Sequence, residues 1–291
     1  MKNGTVTTFI LLGLTDDPEL QVLMFIFLLL TYMLSVTGNL TIITLTFVDS
    51  HLKTPMYFFL KNFSFLEISF TSACIPRYLY SIATGDKVIT YNACIIEVFF
   101  TYLCAVTEFF LLAAMSYDRY VAICKPLHYV TIMSSRVCWV LIVCCWLSGL
   151  SVIIPPLILV LKLEFCDSNI LDHFLCDEFP LVKTTCSDVV LGTVNIWDLL
   201  TLNMTLTTAF PSHAFSTCSS HMVVVSITYG TCIFIYMNPA AKEEVTVNKV
   251  VTLLISSVSP TMNPFIYTLR NNQVKNAFKV LLKRLALISS K

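Results

Sequence analysis

Two carboxylates, Glu67 and Glu108, stand within stretches that are otherwise almost wholly apolar. An acid in such surroundings faces the interior of a helix bundle, where it pairs, takes up a proton or binds a cation. General acid–base chemistry would also need a reacting group between two acids, or a base beside a nucleophile, and the chain offers neither arrangement. The pair Asp118-Arg119 is different in kind. It ends a long apolar run, Ala93 to Met115, and Pro126 follows a few residues on. At the edge of a bilayer an arginine can snorkel or hold its neighbour at a cost that would be far larger at mid-depth. Two readings stand for it: a topology anchor, or a switch in which Arg119 exchanges Asp118 for another partner when a bundle rearranges. Pro260-Thr261-Met262-Asn263-Pro264-Phe265-Ile266-Tyr267 is the third such stretch. Its second proline frees a backbone carbonyl and bends a helix, with Asn263 and Tyr267 placed for alternative polar contacts. Cys218 and His221 lie three apart, but two ligands without a third make no metal site.

These groups need spans to carry them. The 291 residues are 56% hydrophobic and 12% charged, about half the charge of a globular chain at ~25%. Lys+Arg 18 balances Asp+Glu 18, which excludes nucleic acid and acidic substrates as obvious partners. Several apolar runs exceed the ~20 residues that cross a bilayer, so the chain reads as an all-α protein passing repeatedly through membrane. Expected spans are Val22 to Val48, Pro55 to Ala83, Ala93 to Ile123 and Val137 to Leu161. Phe215 to Met237 and Val247 to Leu269 follow as the sixth and seventh. No cleavable leader is expected, since the first span can serve as the targeting signal. Asn39 reads as a residue that hydrogen-bonds between helices. A closing tail sets Val274, Phe278, Leu281 and Leu282 on one face and Lys275, Lys279, Lys283 and Arg284 on others, the pattern of a helix lying on the cytoplasmic membrane surface. Basic residues gather on the side of Arg119, Arg136 and that tail, which puts the amino terminus outside. Asn3-Gly4-Thr5 on the outer tail is a glycosylation sequon.

The weakest span is the fifth. Its best window, Val189 to Phe210, contains Asn195, Asp198 and Asn203, and an aspartate near a helix centre costs ~2.5–3.5 kcal/mol to insert. Twelve cysteines divide by side. Cys94, Cys166, Cys176 and Cys186 fall on the oxidising outer face, where three pairings are open to them. Cys74, Cys104, Cys144, Cys145 and Cys232 read as buried apolar fillers.

Ser116 to Tyr129, Leu52-Lys53-Thr54-Pro55-Met56-Tyr57, Ala214 to His221 and Pro260 to Tyr267 together resemble the motifs of olfactory receptors. The likeness is to the tetrapod-type class of these rhodopsin-like G-protein-coupled receptors. It implies a seven-transmembrane helix bundle with a short amphipathic carboxyl-terminal helix, in one domain spanning 1–291. The outer tail would be 1–21, the bundle 22–269 and the cytoplasmic tail 270–291, in the plasma membrane with the amino terminus extracellular. It pairs Cys94 with Cys176 and Cys166 with Cys186. It also implies a sodium ion at Glu67 and Glu108, although the family commonly has aspartate at the first position. Asp118, Arg119, Tyr120, Asn263, Pro264 and Tyr267 would form the switch that couples to a stimulatory olfactory G protein. The ligand would be a small volatile odorant in the outer half of the bundle. The inner face of span three offers Thr101, Tyr102, Ala105 and Val106 at that depth, and span six Tyr229, Cys232, Ile233 and Tyr236. Such a lining is apolar with a few hydroxyls. No catalysis, no nucleic acid and no cofactor beyond that ion are implied. The likeness lapses over Val189 to His213, where the family is roughly one helix longer. A degraded or non-coupling receptor product is therefore the competing reading. An ion-coupled transporter using Glu67 and Glu108 is remoter, since repeated halves are not found.

Overall fold

The apolar runs become long helices in the computed structural model, which describes residues 7–162, 165, 169–185, 230, 245–270 and 274–278. Helix α1 is Pro18–Val48, started by Asp17, whose side chain accepts from the Glu19 amide at 3.0 Å, with proline in the first turn. That cap begins the helix four residues ahead of the expected Val22, because Asp-Pro is itself a start signal. Helix α2 is Pro55–Thr84 and ends on Gly85, whose φ of 73° is the left-handed conformation that favours glycine. Helix α3 is Tyr91–Cys124, capped by Thr90, and α4 is Ser135–Leu161. The seventh span is Val245–Leu253 and Ser259–Arg270, joined by a π-turn at Leu254–Val258. Among the described residues, α1, α3 and α4 are long and apolar enough to cross a membrane. A helical stretch over 274–278 falls where the amphipathic tail was expected.

The packing is that of a membrane bundle. On α1 the buried residues include Ser35 and Asn39, while Leu23, Leu30 and Phe47 are exposed. Small and polar residues turn inward because lipid is as apolar as leucine, so close packing and hydrogen bonds hold helices together. Asn39 donates to the Ser35 carbonyl at 3.0 Å and across to the Pro260 carbonyl at 3.3 Å, while Thr261 donates back to the Thr31 carbonyl at 3.0 Å. Gly38 permits this closeness, for a Cβ there would meet Pro264 at 3.1 Å. Gly149 does the same for α4, since any side chain would run into Thr107 of α3. Between α2, α3 and α4 lies the main core, with Phe59, Phe63, Leu66, Leu111, Leu112, Cys138 and Ile142 buried. Cys74, Cys104 and Cys145 are buried as expected, but Cys144 is exposed, because it sits on the outer side of α4, one residue round from the buried Cys145.

One end of the bundle carries a feature absent from the sequence reading. Strand β1, Thr8–Leu11, pairs antiparallel with β2, Val88–Thr90, and parallel with β3, Ile170–Leu171. Phe9, Ile89 and Leu171 turn beneath this three-stranded sheet and pack on Cys94, Val98 and Cys176.

Candidate functional site

Polar groups run through the bundle at three depths. At the sheet end, Cys94 of α3 is bonded to Cys176, with Cα atoms 5.4 Å apart. Since disulfides persist on the oxidising side of a membrane, this end is the outer one and Asp118 marks the inner one. Glu97 lies one turn along α3 from Cys94 and accepts from the Cys176 amide at 3.2 Å. Tyr102 donates to Asp177 at 2.6 Å. These contacts bring the loop after Cys176 down onto α3. From the other side Lys249, nearly buried in the first turns of the seventh span, donates to Asp172 at 2.6 Å and to the Gly13 carbonyl at 2.9 Å. One ammonium thus ties the amino-terminal strand and the outer loop to the last span. His173, stacked on Phe174, is buried under the same loop. Loss of hydration pushes its pKa below the usual histidine value, against the pull of Asp177.

At mid-depth Glu67 is buried in α2 and accepts from the Asn263 side-chain amide of the seventh span. Glu108 stands on the neighbouring α3. The buried Ser64 hydroxyl, one turn from Glu67, has no partner among the described residues. Two carboxylates with a spare hydroxyl are hard oxygen donors, the chemistry that suits a small cation. Among the described residues no group of three or more His, Cys, Asp or Glu side chains is placed to hold a metal ion.

At the inner end Asp118 is 1% exposed and doubly held. Arg119 donates from Nε at 3.0 Å and also from Nη2 to one carboxylate oxygen. Tyr129, on the loop beyond Pro126, donates to the other at 2.8 Å. Burial and the Asp118 charge both push the Tyr129 phenol above its ordinary range, so it stays a donor. On the same loop Leu127 is 94% and Val130 83% exposed. Two apolar residues so exposed within four positions on the water-facing end point to a partner surface that covers them.

Of the residues expected to line a ligand site, Thr101 lies 3.5 Å from the Cys74 sulfur and Tyr102 meets the outer loop. Ala105 packs on the main core, and Val106 is buried with Leu103 and Ile153. Tyr229, Cys232, Ile233 and Tyr236 lie outside the described residues, as do Asn3, Cys166, Cys186 and the window Val189 to Phe210. Of the expected switch, Tyr120 packs against the core beside Asp118, and Pro264 and Tyr267 share the helix that carries Asn263. Sequence reasoning passed over Glu97 and Lys249, and gave Leu127 and Tyr129, inside the Ser116 to Tyr129 motif, no role of their own. A glutamate one turn after a disulfide cysteine, and a lysine in the first turns of a span, were the available signals.

Known sequences bear on this arrangement directly. A family profile described as olfactory receptor matches residues 28–210. The chain is 63% identical to Olfactory receptor 6C2 of Homo sapiens, with all of both chains covered. It is 61% identical to Olfactory receptor 6C68 over 98% of each chain, and 57% identical to Olfactory receptor 6C74 over all of both, again from Homo sapiens. The first alignment runs over 312 positions against 291 residues here. About twenty positions of that relative therefore find no counterpart, close to one bilayer-crossing helix.

Proposed function

The chain belongs to the olfactory receptor family, and from that premise we propose that it binds small volatile odorants in the outer half of its bundle and answers by activating the stimulatory olfactory G protein. It has the seven-helix fold of the family, is a multi-pass protein of the plasma membrane and is not an enzyme. Likeness along the whole chain at 55–63% identity favours a receptor over a degraded product.

The reading treats residues 1–291 as one receptor domain. Thr101, Tyr102, Ala105 and Val106 of α3, with Tyr229, Cys232, Ile233 and Tyr236, form the odorant site, apolar except for a few hydroxyls that give one directional hydrogen bond. A sodium ion sits between Glu67 and Glu108 in the resting state, and the Ser64 hydroxyl, without a partner among the described residues, supports it. Asn263, Pro264 and Tyr267 report movement of the seventh span to Glu67. Asp118, Arg119 and Tyr120 form the output. The observation that carries the proposal is the double hold on Asp118 next to the exposed pair Leu127 and Val130. A resting arginine held by its own neighbour, beside an uncovered apolar knob, suits a surface that waits for a G protein. Odorant binding favours the state in which span six moves outward and Arg119 is freed, a shift between existing populations. Cys166–Cys186 as a second outer bond, and a sugar on Asn3, belong to the same proposal.

Cells displaying the tagged receptor, exposed to an odorant panel with cAMP as the readout, test it. A response that is lost in Arg119→Ala and in Leu127→Ala, at unchanged surface display, is expected. Normal display with no response to any odorant, or a response that survives both substitutions, would overturn it.

A further inference from the structure

At the inner end a cavity of about 480 Å³ opens between α1, α2, the loop carrying Tyr129 and the start of α4. We propose that it seats the headgroup and glycerol region of an anionic phospholipid from the cytoplasmic leaflet. Phe47, Lys53, Lys61, Ser134, Ser135 and Trp139 are the wall residues that matter, and among the described residues no aspartate or glutamate lines the cavity.

Charge is the first reason. Among the described residues the ion pairs are Asp16–Lys87, Asp118–Arg119 and Asp172–Lys249, so neither Lys53 nor Lys61 is neutralised there. The Lys61 ammonium instead stands 4.7 Å from the Phe47 ring centre and 5.3 Å from that of Phe58. Ring faces steer a cation but leave its charge for an anion. Second, α4 begins at this wall, and the Ser134 side chain makes no capping hydrogen bond. Ser134 and Ser135 line the cavity, so the start of this 27-residue helix, without a side-chain cap from Ser134, lies at its wall, where helix amides favour an anion. Third, the walls name the source of the anion. Phe47 is 65% and Trp139 57% exposed, and both lie on spans whose outward faces meet lipid. An occupant bridging two lysines and these rings has a charged head and an apolar body. Basic pockets between helices on the cytoplasmic side hold such lipids. Tyr129 lines the same cavity and holds Asp118, so an occupant there touches the residue that fixes the resting pair.

The test uses full-length receptor in phosphatidylcholine nanodiscs carrying a photo-crosslinking probe, either phosphatidylserine or phosphatidylcholine. Mass spectrometry then locates the label. The serine lipid is expected to mark the segments around Lys53–Lys61 and Ser134–Trp139, and the choline lipid to mark them far less. Labelling should fall about fivefold in K53Q or K61Q and about thirtyfold in the double variant. The double arginine variant K53R/K61R, of the same charge, should keep the label, and K162Q, at the far end of α4 from Ser135, should leave it unchanged. Equal labelling by both probes on the unaltered receptor overturns the proposal without reference to any variant. So does loss of label in K53R/K61R, or displacement by soluble glycerophosphoserine alone, which would make the site one for free phosphate.

Discussion

Replacing Tyr129 by phenylalanine removes one oxygen and nothing else. In the resting receptor that hydroxyl donates to Asp118 at 2.8 Å, and Asp118 is almost fully buried. A hydrogen bond to an ionised group contributes about 1.5–3 kcal/mol. Tyr129 is only half-buried, so water replaces part of the loss and the lower bound, about 1.5 kcal/mol, is the better figure. If the bond belongs to the resting state alone, its loss moves the resting-to-active ratio by the same free energy, about tenfold. Basal cAMP in unstimulated cells, normalised to surface-displayed receptor, should then rise by up to tenfold in Y129F, and the odorant dose–response should shift to lower concentration. Asp118→Asn, which weakens the Arg119 contacts as well, should raise it further. An interaction present equally in both states shifts nothing. Unchanged basal signal at equal display would therefore show that the Tyr129 contact is no lock, and a fall in basal signal would place it in the active state.

Asn263→Ala strips the buried Glu67 of its amide donor, and purified receptor should lose about 1–3 kcal/mol, seen as a lower melting temperature that Glu67→Gln partly recovers in the double variant. Cys94→Ser opens a bridge between residues 82 apart in sequence; about 2–5 kcal/mol of stability goes with it, and flow cytometry of an outer tag should show most receptor retained inside the cell. His173 is kept neutral by burial, with its folded pKa below the ordinary 6.5. Above that pH both folded and unfolded forms are neutral and the group contributes no slope. Below it the unfolded chain takes up a proton first, so the outer loop should lose stability as pH falls from about 6.5. In His173→Phe the melting temperature should lose that slope between neutral and mildly acid buffer, despite Asp172, Asp177 and Lys249 standing close by.

The spans were legible because a bilayer demands length and apolarity, and both are properties of one segment read alone. Pro55 and the Asp17-Pro18 signal likewise act through their immediate neighbours. The neighbouring pair Asp118-Arg119 could be read off for the same reason. The second donor to Asp118 could not, because Tyr129 reaches it only after the chain has turned at Pro126. Strand β1 escaped notice since four residues, Thr8–Leu11, carry too short an alternation, and its partners lie some eighty and one hundred and sixty residues away. Glu97 and Lys249 look costly in a span read by itself, and only the outer loop, folded back onto α3 and the seventh span, supplies the Cys176 amide and the Asp172 carboxylate.

Everything proposed about signalling requires Arg119 and the carboxyl terminus to share the cytoplasm, which in turn requires Val189–Phe210 to cross the bilayer despite Asp198. Tags at both termini, stained on intact and then on permeabilised cells, measure this directly. The amino-terminal tag should stain on intact cells and the carboxyl-terminal tag only after permeabilisation. Staining of the carboxyl-terminal tag on intact cells would mean an even number of crossings and would contradict the receptor topology outright.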